Sequence, residues 1–81
     1  MTLETLKGWI EQNPLRKYRK KNGLSMMRAA SMIGVGMSSV QAWEQGAHRP
    51  KDVSFELLAK VSGIENIERQ WELWLKKKPK L

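Results

Sequence analysis

A tight turn, Gly34-Val35-Gly36, separates two short segments that each have helical spacing. Before the turn, Ser25 is a good N-cap and apolar residues follow three and four apart up to Ile33. After the turn, residues 37–45 repeat this spacing, and Gly46 ends the segment. The pattern predicts two helices joined by a turn, the second of which buries one face against a small domain.

The remaining segments also have helical periodicity, and no run of alternating residues indicates a sheet. We expect Thr2 to cap a first helix, Pro14 to begin the next and Ser54 to cap a later one. Apolar residues from Ile64 to Leu75 indicate a last helix. The sequence predicts an all-α bundle of five to six short helices. Its predicted parts are an accessory N-terminal helix (1–13), a central domain (14–64), and a C-terminal helix with a basic tail (65–81).

The charge of +7 is unevenly distributed along the 81 residues. Residues 14–51 contain eight lysines and arginines against Glu44 alone, whereas residues 52–75 carry an acidic excess. A localised basic region is typical of a protein that binds a polyanion, although a solvated face that binds nothing has the same composition. No apolar run approaches the length that spans a bilayer, so we expect a soluble, cytoplasmic protein.

The composition also bears on catalysis. The chain has no cysteine and a single histidine, His48, so thiolate chemistry and a multi-histidine metal site are excluded. No nucleophile–base pair or phosphate-binding glycine loop is present. We therefore predict that the protein is not an enzyme and carries no cofactor, metal or small-molecule ligand.

The second helix of the central pair has the composition of a helix that enters the DNA major groove. Val40 and Trp43 lie three apart and are predicted to face inward. The side chains that project elsewhere are small or uncharged, and Gln41 can pair bidentately with adenine. The predicted base-contacting residues are Met37, Ser38, Gln41 and Ala42.

At this point the chain resembles the phage repressor and Cro type of helix-turn-helix domain, the XRE family. The resemblance covers about two thirds of the chain, roughly residues 14–64, and implies a lambda-repressor-like fold that binds double-stranded DNA. The matching residues are Leu15-Arg16, Tyr18-Arg19, Gly23-Leu24-Ser25, Ala30, Ile33-Gly34-Val35, Val40, Trp43-Glu44-Gln45-Gly46, Pro50, Leu57-Leu58-Ala59 and Gly63-Ile64.

The resemblance implies roles for individual residues. Arg19 occupies the position at which the family pairs an arginine with the glutamate of its Trp-Glu-x-Gly signature, here Glu44. Ser25, at a helix N-terminus, and Arg49, in the loop after residues 37–45 (the recognition helix of the family), occupy positions that contact phosphate in that family. Together with the basic run of residues 16–21, the predicted phosphate contacts are Arg16, Lys20, Ser25, Arg28, Ser39 and Arg49.

Three positions depart from the family pattern. Met26 stands where a glutamine often meets a phosphate, and Gly36 replaces the usual serine or threonine cap of the recognition helix. Ala29 stands where a leucine usually fills the core. We expect Met27, Met32 or the terminal helices to fill that space.

Two classes of function remain open on the sequence alone. The first is a sequence-specific transcriptional regulator, a repressor that binds an inverted-repeat operator as a homodimer; an antitoxin or a plasmid or phage control protein has the same features. The second is a protein-interaction adaptor that uses the terminal helices. The tryptophans of those helices, Trp9, Trp71 and Trp74, either pack within one monomer or form a dimer interface.

Overall fold

The computed structural model describes residues 5–79, which form six helices and no strand. The prediction of an all-α fold of five to six short helices is confirmed. The helices are α1 (Leu6–Glu11), α2 (Pro14–Lys21), α3 (Met26–Ile33), α4 (Met37–Glu44), α5 (Asp52–Ser62) and α6 (Ile67–Lys76). None of these helices is long and apolar enough to cross a membrane.

Side-chain caps set the start of the first three helices. Thr5 Oγ1 accepts from Gly8 N–H at 3.0 Å, and Ser25 Oγ accepts from Arg28 N–H at 3.0 Å. Asn13 is buried and caps α2, which begins with proline; its Oδ1 accepts from Arg16 N–H at 2.9 Å. The predicted cap Thr2 lies outside the described residues, and Thr5 is the cap of α1.

Two predicted boundaries are wrong. Helix α5 begins at Asp52 rather than after Ser54, because Phe55 N–H already donates to Lys51 O at 2.9 Å. Helix α6 begins at Ile67, and Ile64 lies in the preceding loop. That loop begins with Gly63 in the left-handed conformation, at φ +74°, and is held by a hydrogen bond from Ile64 N–H to Ser62 Oγ at 3.1 Å.

One hydrophobic core joins the helices of the central pair to the flanking helices. Val40 of α4 and Leu58 of α5 are fully buried, as is Trp71 of α6, and Trp9 of α1 is 2% exposed. Helix α3 packs chiefly against α4. The first and last helices are therefore part of the same core that holds the recognition helix, rather than appendages to it.

Candidate nucleic-acid interface

Helix α4 has one buried and one exposed face. Val40 is fully buried and Trp43 is 7% exposed, whereas Met37 is 47% exposed. Ser38 and Gln41 are also exposed, and Ala42 and Ser39 are half-buried. The four residues predicted to contact bases thus include three exposed side chains and one half-buried one on a single helix. An uncharged ridge of this kind is suited to insertion into a major groove.

The turn before α4 sets the angle between the two helices. Gly34 has φ +87°, and the amides of Gly34 and Val35 both donate to Ala30 O, at 2.8 and 3.0 Å. This left-handed residue ends α3 in the manner of a glycine C-cap. Gly36 is the N-cap of α4 and supplies no side-chain hydrogen bond. The first amides of α4 are therefore left without a side-chain cap, beside Met37 and Ser38 at the exposed end of the helix.

A buried ion pair fixes the C-terminal part of α4 to α2. Arg19 Nε and Nη2 each donate to a different oxygen of Glu44 at 2.8 Å, and Arg19 Nη1 donates to Leu24 O at 3.1 Å. Glu44 is 1% exposed and Arg19 is 6% exposed. The hydrogen bonds to Glu44 raise the pKa of Arg19. The structure thus brings together the two residues that the resemblance pairs, in the bidentate geometry that charge-assisted bonds favour.

A second contact holds the loop immediately after α4. Trp9 and Trp74 are stacked with their ring centroids 3.9 Å apart and their planes 2° apart. Each indole Nε1–H donates to the backbone oxygen of the other residue at 2.7 Å. We call this pair the tryptophan clasp. It lies against Gly46, where a Cβ atom would clash with Trp9 Cη2.

The burial of the tryptophans bears on the two alternatives left open by the sequence. Trp9, Trp71 and Trp74 are 2%, 0% and 4% exposed within one chain. Trp71 makes edge-to-face contacts with Phe55 and Trp74, at 5.6 and 5.8 Å between centroids. The rings pack inside the monomer, and they are not exposed for a partner to cover.

The methionines do not fill the space beside Ala29. Met27 is 68% exposed and Met32 is 42% exposed. The expectation that either one substitutes for the missing leucine is wrong, because both project to solvent from α3. Ala29 itself is 2% exposed, so this position is buried although its side chain is small.

Three of the predicted phosphate contacts lie on or next to the helix pair. Ser25 and Arg28 are exposed at the start of α3, and Ser39 is half-buried in the first turn of α4. Ser25 Oγ already caps α3 through Arg28 N–H. Among residues 5–79, no carboxylate forms an ion pair with Arg28, which leaves its charge available to a bound anion.

The other three lie elsewhere. Arg16 pairs with Glu11 at 3.0 Å and is 3.8 Å from Glu44. Arg49 donates through Nε to Glu72 at 2.9 Å and through Nη2 to Glu68 at 3.1 Å, while its guanidinium lies 4.9 Å from the centre of the Phe55 ring. Lys20 is exposed along a groove that no residue of α3 or α4 lines.

Sequence reasoning missed the residues that join the C-terminal end of α4 to the flanking helices. Asn13 Nδ2 lies 3.5 Å from Trp43 O, and Gly46 is packed under the tryptophan clasp. An asparagine directly before a proline is a recognisable helix start, so the capping role of Asn13 could have been predicted from the sequence. The tryptophan clasp could not, because its two rings are 65 positions apart in the chain.

Comparison with known proteins identifies the family of this chain. A family model described as helix-turn-helix matches residues 15–66, well over half of the chain. No curated protein and no solved structure shows a significant match. The family match covers the turn, both helices around it and the Arg19–Glu44 pair. The chain therefore belongs to the XRE family of helix-turn-helix proteins, and residues 15–66 are a Cro/repressor-type DNA-binding domain of the kind found in transcription regulators.

Proposed function

We propose that this protein is a sequence-specific transcriptional repressor that inserts α4 into the major groove of an operator. The observation that carries the proposal is the division of α4 into a buried face, anchored by Val40, Trp43 and Glu44, and an exposed uncharged face that includes Gln41. A helix held this firmly on one side presents its other side at a fixed depth and angle, as base recognition requires.

Contacts to bases and to phosphates are assigned to different side chains. Met37, Ser38, Gln41 and Ala42 are the proposed base contacts, and Gln41 can both donate to and accept from one adenine edge. Arg28 carries the proposed main phosphate contact, since its charge has no partner among the described residues. Ser25 and Ser39 supply hydroxyl and amide groups at the first turns of α3 and α4.

The proposed mechanism is promoter occlusion by a homodimer in the cytoplasm. Two copies on an inverted repeat place their recognition helices about 34 Å apart, in successive major grooves of one DNA face. Phosphate contacts then supply most of the affinity, and the exposed face of α4 supplies the sequence preference.

The test is binding to a site selected from random oligonucleotides, followed by fluorescence anisotropy. Gln41→Ala should weaken binding to the selected duplex by roughly 5–150-fold, the value of one bidentate base contact, and should leave binding to random duplex nearly unchanged. Gln12→Ala is the matched control, because Gln12 is an exposed glutamine outside α3 and α4. Arg28→Gln should weaken binding to both duplexes and reduce by about 1 the slope of log K against the logarithm of the salt concentration. Binding that is absent or insensitive to salt would overturn the proposal.

A further inference from the structure

An open groove lies between α1, α2, the loop before α6 and α6 itself, and it encloses about 960 Å³. Its apolar lining includes Tyr18 and Ile64, both half-buried, and Leu73, which is 46% exposed. No residue of α3, of the turn or of α4 lines it. The groove is therefore separate from the surface proposed to contact DNA.

The basic side chains of the groove are lysines without partners. Lys17, Lys20 and Lys21 of α2 line one side and Lys77, directly after α6, lines another, and all four are exposed. Among residues 5–79, no ion pair joins any of them to a carboxylate. The carboxylate of Glu11 also lines the groove, and it is already paired with Arg16 at 3.0 Å. Arg16, Arg19 and Arg49, by contrast, are each paired with at least one glutamate.

We propose that this groove binds an acidic amphipathic helix of a partner protein. Such a helix places an apolar stripe against the apolar lining of the groove, with carboxylates facing the lysines of α2 and Lys77 at the end of α6, which is the helix-in-groove mode of recognition. The fit rests on complementary charge together with an apolar, concave floor.

Two other occupants fit less well. A single strand of nucleic acid would need aromatic faces on which bases can stack, but Trp9 and Trp74 are stacked on each other and nearly buried. A bilayer surface would meet the lysines, but a flat surface matches a concave groove less well than a helix does. The lysines of the groove are thus best matched by the carboxylates of an amphipathic helix, whose apolar face can pack against the apolar lining.

The probe is a blocked synthetic helix of about 14 residues, roughly four turns, with leucines on one face and glutamates on both flanks. Its control has glutamine in place of every glutamate. Titration of the full chain is followed by two-dimensional NMR, and the affinity is measured by calorimetry. We expect saturable binding of the acidic peptide, weaker binding at high salt, and shifts confined to α1, α2, the end of α5 and α6.

Two sets of variants separate charge from shape. Replacing Lys17, Lys20 and Lys77 by glutamine should weaken binding by about tenfold, while the same change at the exposed Lys51, Lys60 and Lys76, which lie outside the groove, should change it less than about twofold. Leu73→Ser should weaken binding, whereas Leu57→Ser should not, since Leu57 is 38% exposed on α5 but does not line the groove. All of these positions are exposed, so no substitution removes a buried side chain.

Several results would overturn the proposal. They are absence of saturable binding, equal binding of the glutamine peptide, and shifts that map onto α3 and α4. The same titration with random duplex DNA and with anionic phospholipid vesicles is decisive as well. If either one binds at the four lysines and the peptide does not, the groove belongs to that polyanion and the inference is wrong. Loss of peptide binding leaves operator binding through α4 intact, so the two proposals fail separately.

Discussion

Helix α4 is held at two neighbouring places by contacts of opposite character. The Arg19–Glu44 pair is polar, almost fully buried and contained within residues 15–66. The tryptophan clasp is aromatic, comes from the two flanking helices, and presses on Gly46 just beyond the end of α4. The matched region thus contains one contact that fixes α4, and the flanking helices add a second from outside that region.

The two contacts should also fail differently. A buried ion pair is costly to break on one side only, because the remaining charge stays buried without its partner. The clasp combines apolar burial with two neutral hydrogen bonds, so its parts can be weakened one at a time.

The largest effect is expected from Arg19→Met. It leaves the carboxylate of Glu44 buried without its bidentate partner and should lower the free energy of unfolding by about 3–5 kcal/mol. The double variant Arg19→Met with Glu44→Leu should recover most of that loss, because no unpaired charge remains. Urea denaturation of both variants gives the coupling, and the double variant keeps the test informative if the single variant does not fold. A single-variant loss below about 1 kcal/mol, typical of an exposed pair, would show that the pair does not anchor α4.

Gly46→Ala should have the next largest effect, and Gly63→Ala is its matched control. The two glycines have φ of +75° and +74°, so an alanine pays about 1–2 kcal/mol at either position for the left-handed backbone. Only at position 46 does the new Cβ also meet the Trp9 ring, whereas at position 63 nothing lies within 4 Å. We therefore expect Gly46→Ala to cost about 1–3 kcal/mol more in thermal unfolding. Equal destabilisation by Gly46→Ala and Gly63→Ala would mean that the Trp9 ring moves aside without cost and that the clasp is not packed tightly against this loop.

Replacing tryptophan with phenylalanine separates the contribution of the indole hydrogen bonds of the clasp from that of its buried rings. Trp74→Phe removes the N–H that donates to Trp9 O, and leaves that carbonyl without this donor in a buried site. Trp71→Phe removes a similar volume, but Trp71 Nε1 has no hydrogen-bond partner among the described residues. Trp74→Phe should therefore destabilise the protein by about 1–2 kcal/mol more than Trp71→Phe in urea denaturation. The reverse order would contradict a role for the reciprocal bonds.

The smallest effect concerns an exposed pair that contrasts with the buried one. The hydrogen bond from Arg16 holds the pKa of Glu11 below its ordinary value. A lowered folded-state pKa stabilises the fold above the unfolded-state pKa, and this stabilisation is lost as the pH falls through the folded-state value. Glu11→Gln should slightly lower Tm at pH 7, and the difference from the parent should vanish in acid. A difference that persists at low pH would show that the carboxylate charge is not its source.

The sequence predicted the parts of this structure that depend on local chemistry. Ser25, Gly34 and Gly63 mark helix ends because capping and left-handed backbone conformations favour these residue types wherever they stand. The burial of Val40 and Trp43 follows from helical spacing. The prediction that Ser54 caps α5 was wrong because the helix already begins at Asp52, where Lys51 O accepts a hydrogen bond from Phe55 N–H.

The remaining features depend on contacts between distant residues. The sequence leaves open whether Trp9 and Trp74 pack within one monomer or at a dimer interface, and it contains no signal that their rings stack and exchange hydrogen bonds. Charge counts show a basic region, but not that Arg49 is bound to Glu68 and Glu72 while Lys20 forms no ion pair among the described residues. Such pairings are decided by how α5 and α6 pack, and one sequence contains no local signal for that packing.

The central claim is that the exposed face of α4 reads DNA while both of its fixing contacts stay in place. The most direct measurement is two-dimensional NMR of the protein titrated with its selected duplex. We expect large shifts for the side-chain amide of Gln41 and the backbone amide of Ser38, with the indole N–H signals of Trp9 and Trp74 almost unmoved. Shifts concentrated at Lys17, Lys20 and Lys77 with the Gln41 amide unchanged would contradict it.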